Sequence, residues 1–172
     1  MDIKIVGFTC LILVQLCTAA EVIVSNYRLD PQTDPGFFNP GTLRVTRKSR
    51  KLLVISGWWE ILQNAGEDVR SINSVLHKNV LTGRYEKVWS QNVTACELLN
   101  KNRSVLPKIR KVSNFPPAGM CPFPKGRYTI DNYKFELPEA FPLPPGDYII
   151  VERMIKDGHF LLGLEWPITV HY

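Results

Sequence analysis

Residues 159–172 alternate with a period of two. Phe160, Leu162, Leu164, Trp166, Ile168, Val170 and Tyr172 fall on one face; His159, Leu161, Gly163, Glu165, Pro167, Thr169 and His171 fall on the other. Successive side chains of an extended chain point to opposite faces, so this run predicts a half-buried antiparallel strand. Pro167 has no amide donor, which predicts a sheet edge or a bulge at that position.

The same patterning extends upstream. Val22-Ile23-Val24 predicts a first strand, and Pro31, Pro35, Gly36, Asn39 and Pro40 then break it around Phe37-Phe38. An aromatic pair in such a loop is either a plug that closes the core or an exposed contact, and the plug is the preferred expectation. Thr42 to Arg47 and Leu52 to Leu62 predict two strands joined by a charged tip. In the second, Leu53, Ile55, Gly57, Trp59 and Ile61 make the cleaner buried face, because Ser56 and Glu60 interrupt the other. Asp68 to Lys78 alternates with ambiguous phase, and Arg84 to Ser90 predicts a short strand with Tyr85 and Trp89 on one face.

The period changes at Thr94-Ala95-Cys96-Glu97, which has the spacing of a capping box and predicts one short helix over Thr94 to Asn102. A basic segment from Lys101 to Lys111 leads to Cys121. Arg127 to Leu137 predicts a strand whose apolar phase switches midway, implying a bulge near Asp131-Asn132. The proline-rich stretch Pro138 to Gly146 predicts a stiff connection. Asp147 to Lys156 is apolar on both sides and predicts a central strand, closed by an Asp157-Gly158 hairpin turn. About eight strands with one short helix point to an all-β, antiparallel β-sandwich.

Residues 1–20 stand apart. Lys4, the apolar run Ile5 to Leu16 and the small residues Thr18-Ala19-Ala20 predict a secretory signal peptide, too short for a membrane span of about 20 residues. Its removal leaves residues 21–172 as a single domain. The net charge stays at +5, since Asp2 and Lys4 cancel. In a secreted, extracellular protein this charge suits anionic headgroups, glycans or acidic partners rather than nucleic acid, or it serves solubility alone. Of the 4 cysteines, Cys10 and Cys17 leave with the signal, and Cys96 and Cys121 are expected to pair in an oxidising compartment. Asn92-Val93-Thr94 and Asn102-Arg103-Ser104 are glycosylation sequons, marking Asn92 and Asn102 as surface.

Catalytic and metal signatures are missing: no Gly-x-Ser-x-Gly, His-Glu-x-x-His, Cys-x-x-Cys, P-loop or Gly-x-Gly-x-x-Gly occurs. His159 and His171 share one strand face about 40 Å apart and cannot share a metal. The expectation is therefore no catalytic residue, no metal and no cofactor. The chain does hold an excess of large apolar groups, with Trp58, Trp59, Trp89, Trp166 and 8 phenylalanines. These fit either splayed sheets that line a cavity for an apolar ligand, or a dry packed core.

The order of motifs adds a resemblance. Gly57-Trp58-Trp59-Glu60, Gly83-Arg84-Tyr85, Cys96-Glu97-Leu98-Leu99, Cys121-Pro122-Phe123-Pro124-Lys125-Gly126-x-Tyr128 and Leu143-Pro144-Pro145-Gly146-Asp147-Tyr148 follow one another across nearly all of the mature chain. This series resembles the insect secreted proteins of the CheB chemosensory group and their uncharacterised relatives, which are distantly similar to the ganglioside-activator and ML lipid-recognition domains. The resemblance implies an immunoglobulin-like sandwich that opens between its sheets for a lipid or other small hydrophobic molecule, in a soluble role in taste or pheromone perception. The lipid-binding relatives carry more disulfides than the one expected here.

Two expectations follow. In one, Leu53, Ile55, Trp59, Phe160, Leu162, Leu164 and Trp166 line the inter-sheet space, with Lys125 and Arg127 at its mouth facing an anionic headgroup or membrane surface. In the other, a solid-cored module meets a receptor or matrix partner through Phe37-Phe38 or the basic segment.

Overall fold

The computed structural model describes residues 21–50, 52–136 and 143–171. The expected signal peptide, Lys51 at the hairpin tip, residues 137–142 of the proline-rich connection and Tyr172 lie outside the described residues.

The described residues fold as an all-β antiparallel sandwich with two short helices. The larger sheet holds β1 (Glu21–Val24), β2 (Arg28–Leu29), β6 (Val69–Lys78), β7 (Tyr85–Thr94), β9 (Gly146–Lys156) and β10 (His159–His171), in the order β1-β10-β9-β6-β7, with β2 following β1 along β10. The smaller sheet is built on β5 (Leu52–Ile61), which pairs with β3 (Phe38–Asn39), β4 (Arg44–Ser49) and β8 (Gly126–Tyr133). As its two apolar faces predict, β9 is central, between β10 and β6.

Bulges decide which side chains face inward. The phase switch in β8 is real. Ile55 lies opposite Tyr133 and Gly57 opposite Ile130, and Asn132 takes a φ of 55° at the irregularity. Tyr128, Ile130 and Tyr133 therefore all reach the core. Gly57 serves the same bulge: with φ 125°, a Cβ there would lie 2.3 Å from the Thr42 carbonyl oxygen. In β10 the register shifts between Phe160 and Leu162, not at Pro167. Pro167 is also not on an edge. Its carbonyl accepts from Ser25 N (2.9 Å) beyond the end of β1, so its missing N–H falls in the gap between β1 and β2.

The expected helix is α1 (Ala95–Lys101). Its capping box is complete: Glu97 N donates to Thr94 Oγ1 (3.1 Å) and Thr94 N donates to Glu97 Oε2 (3.0 Å). A second helix, α2 (Leu106–Arg110), corrects the expectation of one. Asn102 Oδ1 accepts from Val105 N and Leu106 N, and Pro107 lies in the first turn, where an amide donor is dispensable.

Phe37 and Phe38 are buried at 1% and 4% exposure, so the loop aromatics are the plug. Two further loops are fixed by one device. Tyr128 Oη donates to Pro124 O, and Tyr148 Oη donates to Pro144 O (2.8 Å). Each tyrosine stands four residues after its proline, in the shared pattern Pro-x-Gly-x-Tyr. Cys96 and Cys121 form the expected disulfide with a Cα separation of 5.4 Å, in the range of ordinary bridges. Among the described residues no helix is long and apolar enough to cross a membrane.

Candidate functional site

The space between the sheets is the candidate site. Residues directly opposite in an antiparallel pair point to the same face, so the register identifies its walls. From the larger sheet come Val69 and Val75 of β6, Tyr148, Ile150 and Met154 of β9, and Leu162, Leu164, Trp166, Ile168 and Val170 of β10. From the smaller come Ile55, Trp59 and Ile61 of β5, with Tyr128, Ile130 and Tyr133 of β8. Trp166 packs against all three apolar clusters, which makes it the centre of the layer. Trp59 touches two of the clusters, and its ring meets those of Tyr128 (5.8 Å) and Phe115 (6.4 Å) in tilted contacts.

Five of the seven expected lining residues thus share the inter-sheet layer: Ile55, Trp59, Leu162, Leu164 and Trp166. Leu53 keeps the inward parity of Ile55 but is only half-buried, toward the β4–β5 end of the smaller sheet. Phe160 is a correction. The bulge between Phe160 and Leu162 turns it to the face of Gly163, where a Cβ would lie 2.8 Å from the Phe160 ring and 2.6 Å from Asp30 Cβ. Leu161 takes the inward place instead, buried in the core.

Lys125 and Arg127 are a second correction. Arg127 Nε donates to Glu60 Oε1 (2.9 Å), and its guanidinium lies 4.2 Å over the Trp58 ring. Trp58 and Glu60 alternate with the inward Trp59 and Ile61, so this group occupies the outer face of the smaller sheet. Here Lys125 and Arg127 border a shallow surface depression of about 310 Å³ with Glu60, Ile61 and Leu62. The charge pattern alone could not tell the two faces apart, because Arg127 precedes the β8 bulge.

Two polar side chains of this layer that have no polar partner among the described residues escaped sequence reasoning. Glu152 shares the inward parity of Ile150 and Met154 on β9, with Leu164 and Asn73 as its cross-strand neighbours. It accepts no hydrogen bond and joins no ion pair among the described residues, and burial alone pushes its carboxyl above the usual range. The residue nonetheless keeps part of its surface accessible. Tyr133 is the second. It is 5% exposed, its hydroxyl has no hydrogen-bond partner among the described residues, and burial first, then the nearby Glu136, pushes the phenol up to about 12. The signal for Glu152 was its parity with Tyr148, Ile150 and Met154, masked because Ile149 and Val151 make the other face of β9 apolar too.

Residues 72–150 match the model of a family described as a protein of unknown function (DUF1091). The match is consistent with the chemosensory resemblance and runs from β6 through the disulfide and Tyr133 into β9. No curated protein matches the chain.

The remaining expected positions fall as follows. Asn92 is exposed on β7, the outermost strand of the larger sheet, and its Oδ1 accepts from Arg70 Nε (2.9 Å). Asn102 is half-buried between the two helices. Glu67 approaches the Cys96 and Cys121 sulfurs, but those atoms are committed to each other and offer no thiolate to a metal.

Proposed function

We propose that the mature chain is a secreted, non-enzymatic binder of a lipid or other small hydrophobic molecule, held between its two sheets in a chemosensory role. One observation carries this: the inner faces of both sheets are mostly apolar, yet Trp59, Trp166, Ile150 and Met154, which point between them, all remain partly accessible. Close-packed interiors leave such side chains little accessible area. Partial exposure of large inward groups supports space for a guest, and concave apolar sites with few polar groups are the usual form of small-molecule pockets. The disulfide supports the extracellular setting, where such bonds persist.

The test is native purification of the secreted protein followed by mass spectrometry of whatever small molecules leave with organic solvent. A stoichiometric apolar species is the expected result. A protein that carries none, and that gives no fluorescence rise with a neutral naphthylamine probe, is a solid sandwich.

A second reading, a protein- or membrane-contacting module, rests on the β6–β7 hairpin. Val80 and Leu81 at its tip are 90% and 96% exposed, and Val88 is exposed on the following strand. This surface replaces the Phe37-Phe38 contact, which is buried.

A further inference from the structure

The β6–β7 hairpin ends in a projecting tip. Pairing of β6 with β9 stops at His77 and Tyr148, and pairing with β7 stops at Lys78 and Tyr85, so residues 79–84 extend beyond both ladders. Val80 and Leu81 stand in this tip with 90% and 96% of their surface exposed. The backbone around them is tied down by Asn79. Its Oδ1 accepts from Leu81 N (2.9 Å) and Thr82 N (3.2 Å), and its carbonyl accepts from Gly83 N (2.8 Å). Arg84 N donates to Thr82 Oγ1 (3.3 Å), and Asn79 N donates to Arg84 O (2.8 Å). The four successive amides from Leu81 to Arg84 are thus all bonded within the tip. A backbone that leaves water for hydrocarbon must carry its own hydrogen-bond partners, and these amides already do.

The residues behind the tip suit a lipid headgroup. Lys78, Arg84 and Tyr85 are all exposed. Lys78 and Tyr85 face each other two positions behind Val80, about 7 Å along the strand. The headgroup region on each side of a bilayer is about 5–7 Å deep. With Val80 and Leu81 at the acyl boundary, Lys78 and Arg84 would stand at phosphate level and Tyr85 in the zone where aromatic rings collect. Lys87, opposite Leu76, lies on the same outer face of the sheet as Lys78 and adds positive charge behind them. The acids at this end are engaged. Glu86 accepts from Asn79 Nδ2 (3.0 Å), and Asp147 accepts from Thr169 Oγ1 (2.9 Å). The ion pair of Asp147 with Lys78 is long, at 3.7 Å, and half-exposed, so it costs little to break. Two aliphatic side chains on a convex tip fall far short of the roughly 800 Å² per partner that a specific protein interface buries. A bilayer asks only for apolar depth and a cationic rim. We propose that the β6–β7 tip is a shallow anchor for a bilayer containing anionic lipid, with Val80 and Leu81 inserted and Lys78 and Arg84 on phosphates. This rests on the second reading, of the hairpin as a contact, and selects a lipid surface as its partner.

The test is co-sedimentation of the disulfide-bonded secreted protein with vesicles of phosphatidylcholine alone or with about one-third phosphatidylserine. Binding to the mixed vesicles is expected to be the tighter and to fall with added salt. Val80→Ser combined with Leu81→Ser should weaken it at least about tenfold. Lys78→Gln and Arg84→Gln should each cost about fivefold on the anionic vesicles alone. Both aliphatic side chains lie outside the core, and an unchanged thermal midpoint verifies the fold of each variant. A nitrobenzoxadiazole label on Leu81→Cys should brighten and shift to the blue when mixed vesicles are added. Binding that the double serine variant retains in full, or a label that keeps its aqueous spectrum on bound protein, overturns the insertion. No binding to either vesicle overturns the anchor; if the chain then self-associates in sedimentation equilibrium and the double serine variant does not, the hairpin contacts a second copy, and the contact reading survives without the lipid. A monomer indifferent to both vesicles overturns the anchor and leaves the contact reading with no partner.

Discussion

At the scale of single residues, Glu152 is the least comfortable group in the core. Its carboxyl is raised by burial, so between its unfolded value of about 4.3 and the raised folded value the native chain holds more protons than the unfolded one. The contribution of Glu152 to stability is thus greatest below the ordinary carboxylate range and is lost as pH rises through the folded value. Neighbours do not offset this. Asn73 and Leu164 flank it across β6 and β10, Ile150 and Met154 precede and follow it on the inward face of β9, and of the ionisable groups on β8 only the Tyr128 and Tyr133 phenols belong to the core clusters, Arg127 and Asp131 being exposed. Asp68, Glu97 and Glu136 are shifted the other way, first by hydrogen bonds from lysines, so their contributions fade only in acid. Glu152→Gln should therefore flatten the decline in the urea midpoint as the pH rises above the ordinary carboxylate range. Parallel curves for the two proteins would show that Glu152 carries no such strain.

At the scale of elements, alternation was a reliable guide wherever a strand has one wet face. The run after His159 is a strand from His159 to His171, and β5 turns the odd positions Ile55, Trp59 and Ile61 inward. It failed where backbone irregularity resets the phase. Phe160 is on the wrong side of a bulge that no glycine or asparagine marks, whereas Asn132 marked the one in β8. The phase of β6 was ambiguous because its inward row alternates apolar Val69 and Val75 with polar Ser71 and Asn73. The second helix was hidden in a basic segment whose cap is Asn102, a residue already read as a sequon. By contrast, the capping box of α1 was legible because both of its reciprocal bonds come from side chains at fixed spacing. Thr94→Ala removes the acceptor for Glu97 N and should cost about 1 kcal/mol. For a domain of this size that lowers the thermal midpoint by about 2–4 °C. A calorimetric scan of Thr94→Ala with an unmoved midpoint would mean that packing of Cys96 and Leu99, not the cap, holds the helix.

At the scale of the whole molecule, several of the motifs that carry the resemblance act as fasteners. Both Pro-x-Gly-x-Tyr segments anchor a tyrosine to a proline carbonyl at the entrance of a strand, β8 in one sheet and β9 in the other. The disulfide links the sheets more directly. Cys96 is buried on α1, which continues β7 of the larger sheet, and Cys121 lies just before β8 of the smaller. The bridged residues are 25 apart, and the enclosed chain carries α2 and Phe115 onto the core. Closing a loop of that length removes enough unfolded-state entropy to stabilise the fold by about 3–4 kcal/mol. The paired variant Cys96→Ala with Cys121→Ala should therefore lose about 3 kcal/mol in urea unfolding, and reduction of the native protein should lose a similar amount. If the inter-sheet space is held open by this one staple, the double variant should also bind the naphthylamine probe more weakly at temperatures well below its midpoint. A loss under about 1 kcal/mol with unchanged probe binding would show that the strand-entry tyrosines and the Phe37-Phe38 plug, not the covalent bridge, set the distance between the sheets.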